Sequence, residues 1–266
     1  AIAGTVNIIT KDPVDNSFEV GLNQAFVNGT AGDRTVSLNG SIVADDLRKG
    51  ISLYAFNRNR DHWDANGDGF SEMVELNNTT IGFDAFYNVG ERSKIKLNGY
   101  HINEYRRGGN DFDLEPHQSD VAEQLNHTIY GAGASFETAS KNNKHRFALY
   151  TTLQHTNRAS YYGAGGRVLQ PGDTLTDTDL LALNAYGTST DLAAVGGIQY
   201  STALLPTLTL TTGSEYQFNE VDDQMPGYER SISQEVSTLG SYGQLEWNPH
   251  KKLTLVVGGR YALVTI

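Results

Sequence analysis

The chain has 266 residues and a formal net charge of −11, and it contains no cysteine. The lack of cysteine excludes disulfide scaffolds and thiolate-ligated metal sites, and the acidic balance argues against a nucleic-acid-binding surface. The chain is 38% hydrophobic, which is too apolar for disorder, but it has no apolar run of roughly 18 residues that could form a transmembrane helix. A transmembrane β-barrel stays open, because its strands alternate between lipid and lumen and keep the mean hydropathy low, here −0.41.

Alternation of apolar and polar residues, which predicts strands, begins near the N-terminus and recurs along the whole chain. Phe18, Val20 and Leu22, for example, alternate with polar residues and glycine. About eleven strands are predicted, at 18–23, 35–42, 50–60, 80–87, 94–104, 127–137, 145–157, 191–203, 207–218, 236–247 and 253–264. Most of these runs approach or reach the length of about 9–11 residues that a tilted strand needs to cross a bilayer.

After a short first link at 28–33, the connections between these strands alternate in length. The short ones are predicted at 45–50, 88–93, 138–145, 204–207 and 248–252, and the long ones at 61–75, 105–126, 158–190 and 219–235. Outer-membrane barrels have short periplasmic turns and longer extracellular loops, whereas a β-sandwich follows no such rule. The alternation therefore favours a transmembrane barrel over a soluble all-β binding module.

Charge and aromatic residues also distinguish the two ends of the predicted strands. Every lysine lies at or near the strand ends that the short connections join, while the long connections are rich in Asp and Glu. Aromatic residues near the short connections indicate an interfacial girdle: Phe18, Tyr87, Phe136, Phe147 and Trp247. The alternatives are that both charged sides are ordinary solvated surfaces and that the aromatics reflect strand preference alone.

The opening Ala1-Ile2-Ala3-Gly4-Thr5-Val6-Asn7-Ile8-Ile9-Thr10-Lys11 resembles the last strand of the plug domain of TonB-dependent outer-membrane receptors. Segments 242–249 and 252–261 resemble hairpins of that family. Arg106-Arg107-Gly108-Gly109, the segment 120–124 and Ser160-Tyr161-Tyr162-Gly163 resemble a subgroup related to cobalamin, ferric-siderophore and colicin receptors.

The resemblance implies an all-β protein, an antiparallel transmembrane β-barrel with part of a plug. Residues 1–13 would be the C-terminal end of the plug, and residues 14–266 the N-terminal half of a barrel of about 22 strands. The chain, which starts without an initiator Met and stops in an apolar stretch, is then expected to be a fragment.

The function implied by the resemblance is that of a receptor in the bacterial outer membrane. No enzymatic activity is expected, because the sequence has no GxSxG elbow, glycine-rich phosphate loop or convincing carboxylate pair, and an outer-membrane hydrolase is the enzyme alternative. It would bind a scarce nutrient (ferric siderophore, cobalamin or haem) at extracellular loops and import it with energy from the TonB–ExbB–ExbD complex. Outer-membrane lipid, lipopolysaccharide and a surface lipoprotein are the other expected partners, and nucleic acid is not. The alternative is a passive porin or ligand-binding barrel without TonB coupling.

One long connection matches a calcium-loop pattern, D-x-[DN]-x-[DN]-G-x5-E, between residues 64 and 75. The residues that would supply oxygen ligands are Asp64, Asn66, Asp68, Phe70 (through its carbonyl) and Glu75. No other cofactor is expected. Because strands rather than helices flank the segment, an EF-hand pair is not expected, and an acidic hairpin loop without metal is the alternative.

Arginine and tyrosine residues in two long connections are the candidates for contact with a ligand, because guanidinium groups bind carboxylates or phosphates and tyrosine rings suit flat molecules. The predicted contacts are Arg106, Arg107, Arg158, Tyr161, Tyr162 and Arg167. The alternative is that they shape the loops or meet lipopolysaccharide. His62 and His117, also in long connections, could meet haem, but a lone loop histidine is usually a surface residue.

Overall fold

The computed structural model describes residues 11–266, which form a single antiparallel sheet of eleven strands arranged in chain order. The strands are β1 (Ser17–Val27), β2 (Ala31–Val43), β3 (Lys49–Arg60), β4 (Glu75–Asn88), β5 (Ser93–Gly109), β6 (Val121–Ala139), β7 (His145–Ala164), β8 (Tyr186–Leu205), β9 (Leu208–Met225), β10 (Arg230–His250) and β11 (Leu253–Thr265). The predicted all-β fold is confirmed. The plug-like opening at residues 1–10 lies outside the described residues.

Within the described range 11–266, helical structure is confined to three short elements in the connections. The helix α1 (Asp177–Asn184) follows β7, and single 3-10 turns occupy Pro116–Gln118 and Pro226–Tyr228. Among residues 11–266, no helix combines the length and the hydropathy needed to cross a membrane.

The two ends of the sheet differ in their connections. At one end, here called the turn end, the strands are joined by 44–48, 89–92, 140–144, 206–207 and 251–252. At the other, the loop end, the connections are 28–30, 61–74, 110–120, 165–185 and 226–229. The predicted sidedness is therefore correct. As predicted, the lysines gather at the turn end: Lys49, Lys94, Lys96, Lys141, Lys144, Lys251 and Lys252.

One predicted long connection, 219–235, is wrong. The strands β9 and β10 stay paired as far as Met225 opposite Arg230, which leaves only the tight link 226–229. β5, β7 and β8 also extend further toward the loop end than predicted. The reason is that both faces of these extensions carry polar residues, so the alternation that marks a strand in the sequence disappears while the backbone ladder continues.

The register of the strands divides the side chains into two faces, because residues directly opposite each other on neighbouring strands point the same way. One row of direct partners runs through Leu53, Phe83, Gly99, Ala132 and Leu153. Large side chains on this apolar face are exposed: Leu53 is 52% exposed and Leu153 is 50% exposed. The aromatic residues predicted to form a girdle all belong to it.

The opposite, polar face carries charged, amide and tyrosine side chains. Tyr100 lies opposite Gly131, and its ring covers that glycine so closely that an added Cβ would sit 2.1 Å from Tyr100 Cζ. Its hydroxyl donates a hydrogen bond of 2.7 Å to Gln154 Oε1. Tyr150 covers Gly197 in the same way, so glycine is required at these positions for the rings to lie flat on the wall.

Candidate functional site

A continuous row of polar side chains crosses the polar face near the loop end. Each member lies directly opposite the next on successive strands: Arg58, Asn78, Glu104, His127, Arg158, Ser189 and Asp223. Because opposite residues in a ladder have Cβ atoms only about 5 Å apart, these side chains form one connected surface.

Two arginines, Arg158 of the row and Arg230 beside it, share one carboxylate and form a centre of positive charge. Arg158 donates through Nη2 to Asp223 Oδ1 at 3.0 Å, and Arg230 Nη2 lies 2.8 Å from Asp223 Oδ2. Asp223 is buried, at 9% exposure, whereas both guanidiniums remain partly open. Arg158 Nε is buried without a hydrogen-bond partner among residues 11–266. Two cations against one anion leave donors available to an oxyanion.

Arg58 of the row and Arg106 beside it are each paired with a carboxylate. Arg106 Nε lies 2.8 Å from Glu104 Oε1, and Asn78 donates to Glu104 Oε2 at 2.9 Å. Arg58 binds both carboxylate oxygens of Asp33, at 2.9 and 2.6 Å. This bidentate geometry holds the Arg58 side chain in place.

The six predicted ligand contacts separate into two groups. Arg106, Arg158 and Tyr162 belong to the polar face, together with the row. Arg107, Tyr161 and Arg167 are instead engaged in holding the connections of the loop end. All but Arg167 lie on β5 or β7 rather than in loops, because these strands are longer than the alternation pattern indicates.

Arg107 is almost fully buried, with 4% exposure, and it binds the connection 110–120 from below. Its Nη1 donates to the carbonyl of Leu114 at 2.6 Å, and its Nη2 donates to Ser119 Oγ at 2.8 Å and to the carbonyl of Asp111 at 3.2 Å. These groups are the residue's partners, so its guanidinium is not open to a ligand.

Tyr161 and Arg167 also stabilise the loop end. Tyr161 is 1% exposed and packs with Ala122 and Ala185 in a small apolar core. Arg167 binds both oxygens of Asp179, at 2.8 and 3.1 Å, which closes the connection 165–185 onto the start of α1. The Arg167 guanidinium, followed by the amide and hydroxyl of Thr176, holds the pKa of the Asp179 carboxyl well below its ordinary value.

The connection 61–74 folds around the carboxylate of Asp64. Its oxygens accept backbone N–H groups of Gly69 at 2.7 Å, Gly67 at 2.6 Å and Asn66 at 3.1 Å. The hydrogen bond from Gly69, followed by that from Gly67, lowers the pKa of Asp64. Asp68 caps the next turn by accepting from Phe70 N–H at 2.9 Å.

The carboxylates that approach each other in this connection are those of Asp64, Asp68 and Glu72, with oxygens within 4.8 Å of one another. Glu75, the predicted last ligand, is instead the first residue of β4, where it pairs with Arg107. Glu72 rather than Glu75 therefore lies close to the other two carboxylates. The reason is local: Trp63 pairs with Met73 and closes the hairpin before residue 75.

Contacts between connections join the loop end into one unit. The ring of His62 stacks on Phe112 with centroids 3.6 Å apart, and Ser71 N–H donates to the carbonyl of Gly109 at 3.0 Å. Gly165 N–H donates to the carbonyl of Asp120 at 2.6 Å, which links the connections 110–120 and 165–185. A structural change in one of these connections is therefore expected to alter the position of the others.

At the turn end, the segment before β1 lies against the polar face. Asp12 forms ion pairs with Lys94 and Lys96 of β5. A cavity of about 200 Å³ remains between this segment and the wall, lined in part by Asp84 and Tyr150. The chain thus enters the sheet from its polar side.

Sequence reasoning missed several charged residues in the row or beside it, namely Asp33, Arg58, Glu104, Asp223 and Arg230. The signal that could have found them is strand parity: each lies on the polar face of its strand, close to the loop end. The alternation pattern assigns Asp223 and Arg230 to a long loop, whereas they lie in β9 and β10. The face to which each side chain points could therefore not be predicted.

No known family model and no curated protein sequence matches the chain. Its fold is similar to a mutant of the ferric enterobactin receptor PfeA from Pseudomonas aeruginosa, with a TM-score of 0.66 and 12% identity over 93% of this chain and 39% of that one. FpvAI in its complex with pyocin S2 gives 0.67 and 12% identity over 96% and 39%, and the unliganded ferric citrate transporter FecA gives 0.51 and 10% over 94% and 45%. The chain thus spans about two fifths of the length of PfeA and FpvAI. The similarity shows the fold, which is an eleven-stranded antiparallel sheet like the barrel walls of TonB-dependent receptors.

Proposed function

We propose that the chain is part of an outer-membrane receptor that binds a scarce nutrient at the loop end and imports it with TonB-supplied energy. The polar face lines the interior of the barrel, and the apolar face meets lipid. Residues up to 13 form the end of a plug domain, and sequence outside this chain completes a wall of about 22 strands. The TonB–ExbB–ExbD complex is the energy source, and a surface lipoprotein is a further partner.

The observation that carries the proposal is the division of the sheet into two faces. In water, an open face with Leu53, Ile81 and Leu153 each at least half exposed would be far more apolar than a soluble monomer tolerates. In a bilayer the same face is satisfied, and the charged row on the other face remains in water. The entry of the chain from the polar side, through Asp12 and the two lysines of β5, fits a preceding domain inside the barrel.

The nutrient class is a ferric siderophore, cobalamin or haem, and ferric chelates are favoured by the neighbouring structures of a ferric enterobactin receptor and a ferric citrate transporter. We assign ligand contact to Arg158 and Arg230, whose shared Asp223 leaves guanidinium donors free, and to Arg106 and Tyr162 on the same face. An acidic group on the ligand would bind to the two arginines.

The test is uptake by cells that produce the complete receptor or lack it. The probes are radiolabelled ferric enterobactin, ferric citrate, cyanocobalamin and haemin, each with and without TonB. We expect one probe to be taken up only when both the receptor and TonB are present. Uptake that persists without TonB would favour the alternative, a passive barrel, and uptake of no probe would refute the assignment to these nutrients.

The residue assignment is tested with Arg158→Gln and Arg230→Gln. Each removes a hydrogen bond between charged groups, so the concentration of the transported probe at half-maximal uptake should rise about tenfold or more. Arg146, on the same strand and face as Arg158 but at the turn end, provides the matched control Arg146→Gln. Equal effects of all three variants would contradict the assignment.

We also propose that the connection 61–74 binds Ca²⁺. The donor set fits a hard cation, because Asp64, Asp68 and Glu72 bring carboxylate oxygens together and Asn66 adds an amide oxygen. When bound, the ion would neutralise this acidic turn. The contacts of Ser71 with the end of β5 and of His62 with the neighbouring connection would extend the ordering beyond the turn.

A further inference from the structure

Three large apolar side chains lie together on the polar face, one step from the row of polar side chains and on its turn-end side. We call them the apolar strip: Phe56, Ile102 and Ile129. Each lies two residues from a member of the row, on the same strand and the same face. Ile102 lies directly opposite Ile129, and Thr80 lies between Phe56 and Ile102 as the direct partner of both. The strip therefore borders the row without a gap.

The apolar strip is a local feature of the polar face. Two steps nearer the turn end, the positions across β3 to β7 hold no large apolar side chain: Ser52, Asp84, Asn98, Gly133 and Thr152. Strand preference alone would scatter Ile and Phe along the whole face. Thr80 adds no free donor to the strip, because its hydroxyl donates to Asn78 Oδ1 at 3.0 Å.

The strip is extended toward the turn end by two tyrosine rings. Tyr54 and Tyr100 lie one step below it and cover Gly82 and Gly131 of the neighbouring strands. The Tyr100 hydroxyl is already bound to Gln154, so its ring is the part that a ligand would meet. The polar face thus contains an apolar and aromatic area directly beside its charged groups.

The segment that enters the sheet from the polar side does not reach the apolar strip. Its Asp12 contacts β5 at Lys94 and Lys96, and Lys96 is six residues, or about 20 Å, from Ile102. The three side chains of the strip are half-buried rather than enclosed. They are therefore open to a molecule that lies against the polar face.

The strip is continuous with the pair of arginines that share Asp223. Ile129 lies directly opposite Thr156, and Arg158 is two residues further along β7. Such diagonal neighbours have Cα atoms about 7–8 Å apart, within reach of long side chains. A ligand with an acidic group at Arg158 and Arg230 would therefore bring its adjoining part over Ile129, and Ile102 follows one strand spacing further on.

We propose that the ligand of this site is an amphipathic anion, an acidic iron chelate that carries an apolar arm. Its acidic group binds Arg158 and Arg230, and its arm lies along the apolar strip. The inference rests on the proposed function and narrows its nutrient class, because a wholly polar chelate such as ferric citrate would leave the strip uncovered. Removal of apolar surface from water on both sides favours the contact between arm and strip.

The test uses the complete protein, purified in detergent, and two ferric chelates of one citrate dihydroxamate. In the first chelate both hydroxamates carry acetyl groups, and in the second one acetyl is replaced by octanoyl, so charge and iron ligands are the same. Binding is measured by quenching of the protein fluorescence. Wild type should bind the octanoyl chelate about tenfold more tightly, because part of the added chain leaves water.

The double variant Ile102→Thr and Ile129→Thr keeps the branched shape of both side chains and removes their apolar character. It should abolish the preference for the octanoyl chelate and leave the affinity for the acetyl chelate unchanged. Val195→Thr is the control, because Val195 lies on the same face of β8, opposite Thr152 and outside the strip. This variant should keep the preference.

Four results would overturn the assignment: equal affinity of wild type for the two chelates, binding of neither, survival of the preference in the double variant, or equal loss of both chelates in it. The last result would mean that the strip supports the fold or a neighbouring domain. A clear preference in the purified protein, in cells that take up none of the nutrient probes, would instead refute the transport proposal and leave the strip assignment standing.

Discussion

The replacement of Arg107 by alanine tests whether this residue holds the loop end together rather than contacting a ligand. The guanidinium makes three hydrogen bonds, to the carbonyls of Leu114 and Asp111 and to Ser119 Oγ. Ser119 is fully buried and Arg107 is 4% exposed, so water does not replace these bonds without an opening of the connection. The variant should therefore loosen the whole segment 110–120.

The magnitude follows from the number of bonds. A net contribution of about 1 kcal/mol for each of three hydrogen bonds gives about 3 kcal/mol toward keeping the connection closed. Since about 1.4 kcal/mol corresponds to a factor of ten, amide exchange that proceeds through local opening should become about a hundredfold faster. The strand ladder below, at Ile102 and its neighbours, should keep its protection.

Hydrogen exchange followed by mass spectrometry on the complete protein measures this effect. Arg106→Ala is the matched control, because Arg106 is the adjacent residue on the opposite face and pairs with Glu104. It should leave exchange in 110–120 unchanged and alter ligand affinity instead. Unchanged exchange in the Arg107 variant, or equal acceleration in both variants, would refute the structural role of Arg107.

Three further predictions concern other parts of the chain. Folding lowers the pKa of Asp179, so its ion pair with Arg167 stabilises the connection 165–185 fully above the unfolded pKa of about 3.9. This stabilisation decreases as the pH falls toward the folded pKa, so an acid protease should cleave the connection only below about pH 4. Asp68→Ala should abolish the heat of Ca²⁺ binding in calorimetry, and no heat with wild type would refute the calcium site. Gly131→Val, whose Cβ would collide with the ring of Tyr100, should cost about 1–3 kcal/mol and lower the unfolding temperature of the barrel.

The strands were predictable because apolar and polar residues alternate wherever one face meets a non-polar environment. Around Leu53 and Phe83 this alternation is complete, and the strands there lie close to their predicted positions. Beyond the apolar band, where Asn103 and Glu104 point to opposite faces but are both polar, the pattern carries no information. The ends of β5, β7, β9 and β10 were therefore missed, although the backbone pairs regularly there.

The division of the predicted ligand contacts was also encoded in the sequence, but in the parity of positions rather than in residue type. Arg106 and Arg107 have the same side-chain chemistry. Because they are neighbours on strand β5, Arg106 points to the polar face and Arg107 points to the opposite side, beneath a connection. Once both were assigned to a loop, that distinction was lost. The position of Glu75 outside the carboxylate cluster has a similar cause, since the Trp63 bridge to Met73 is a tertiary feature that a linear motif does not contain.

The distribution of charge indicates how the two faces divide their tasks. On the polar face the Glu104 carboxylate is paired with one arginine, whereas the Asp223 carboxylate is shared by two, and these ion pairs hold the side chains in place. A rigid, nearly neutral wall with one excess of positive charge favours recognition at a defined point over general attraction of anions. The apolar face differs at this level, because the positions adjacent to the row on β3 to β8, such as Asn103 and Thr128, carry no charge. The charged chemistry of this part of the strands is therefore confined to the polar face.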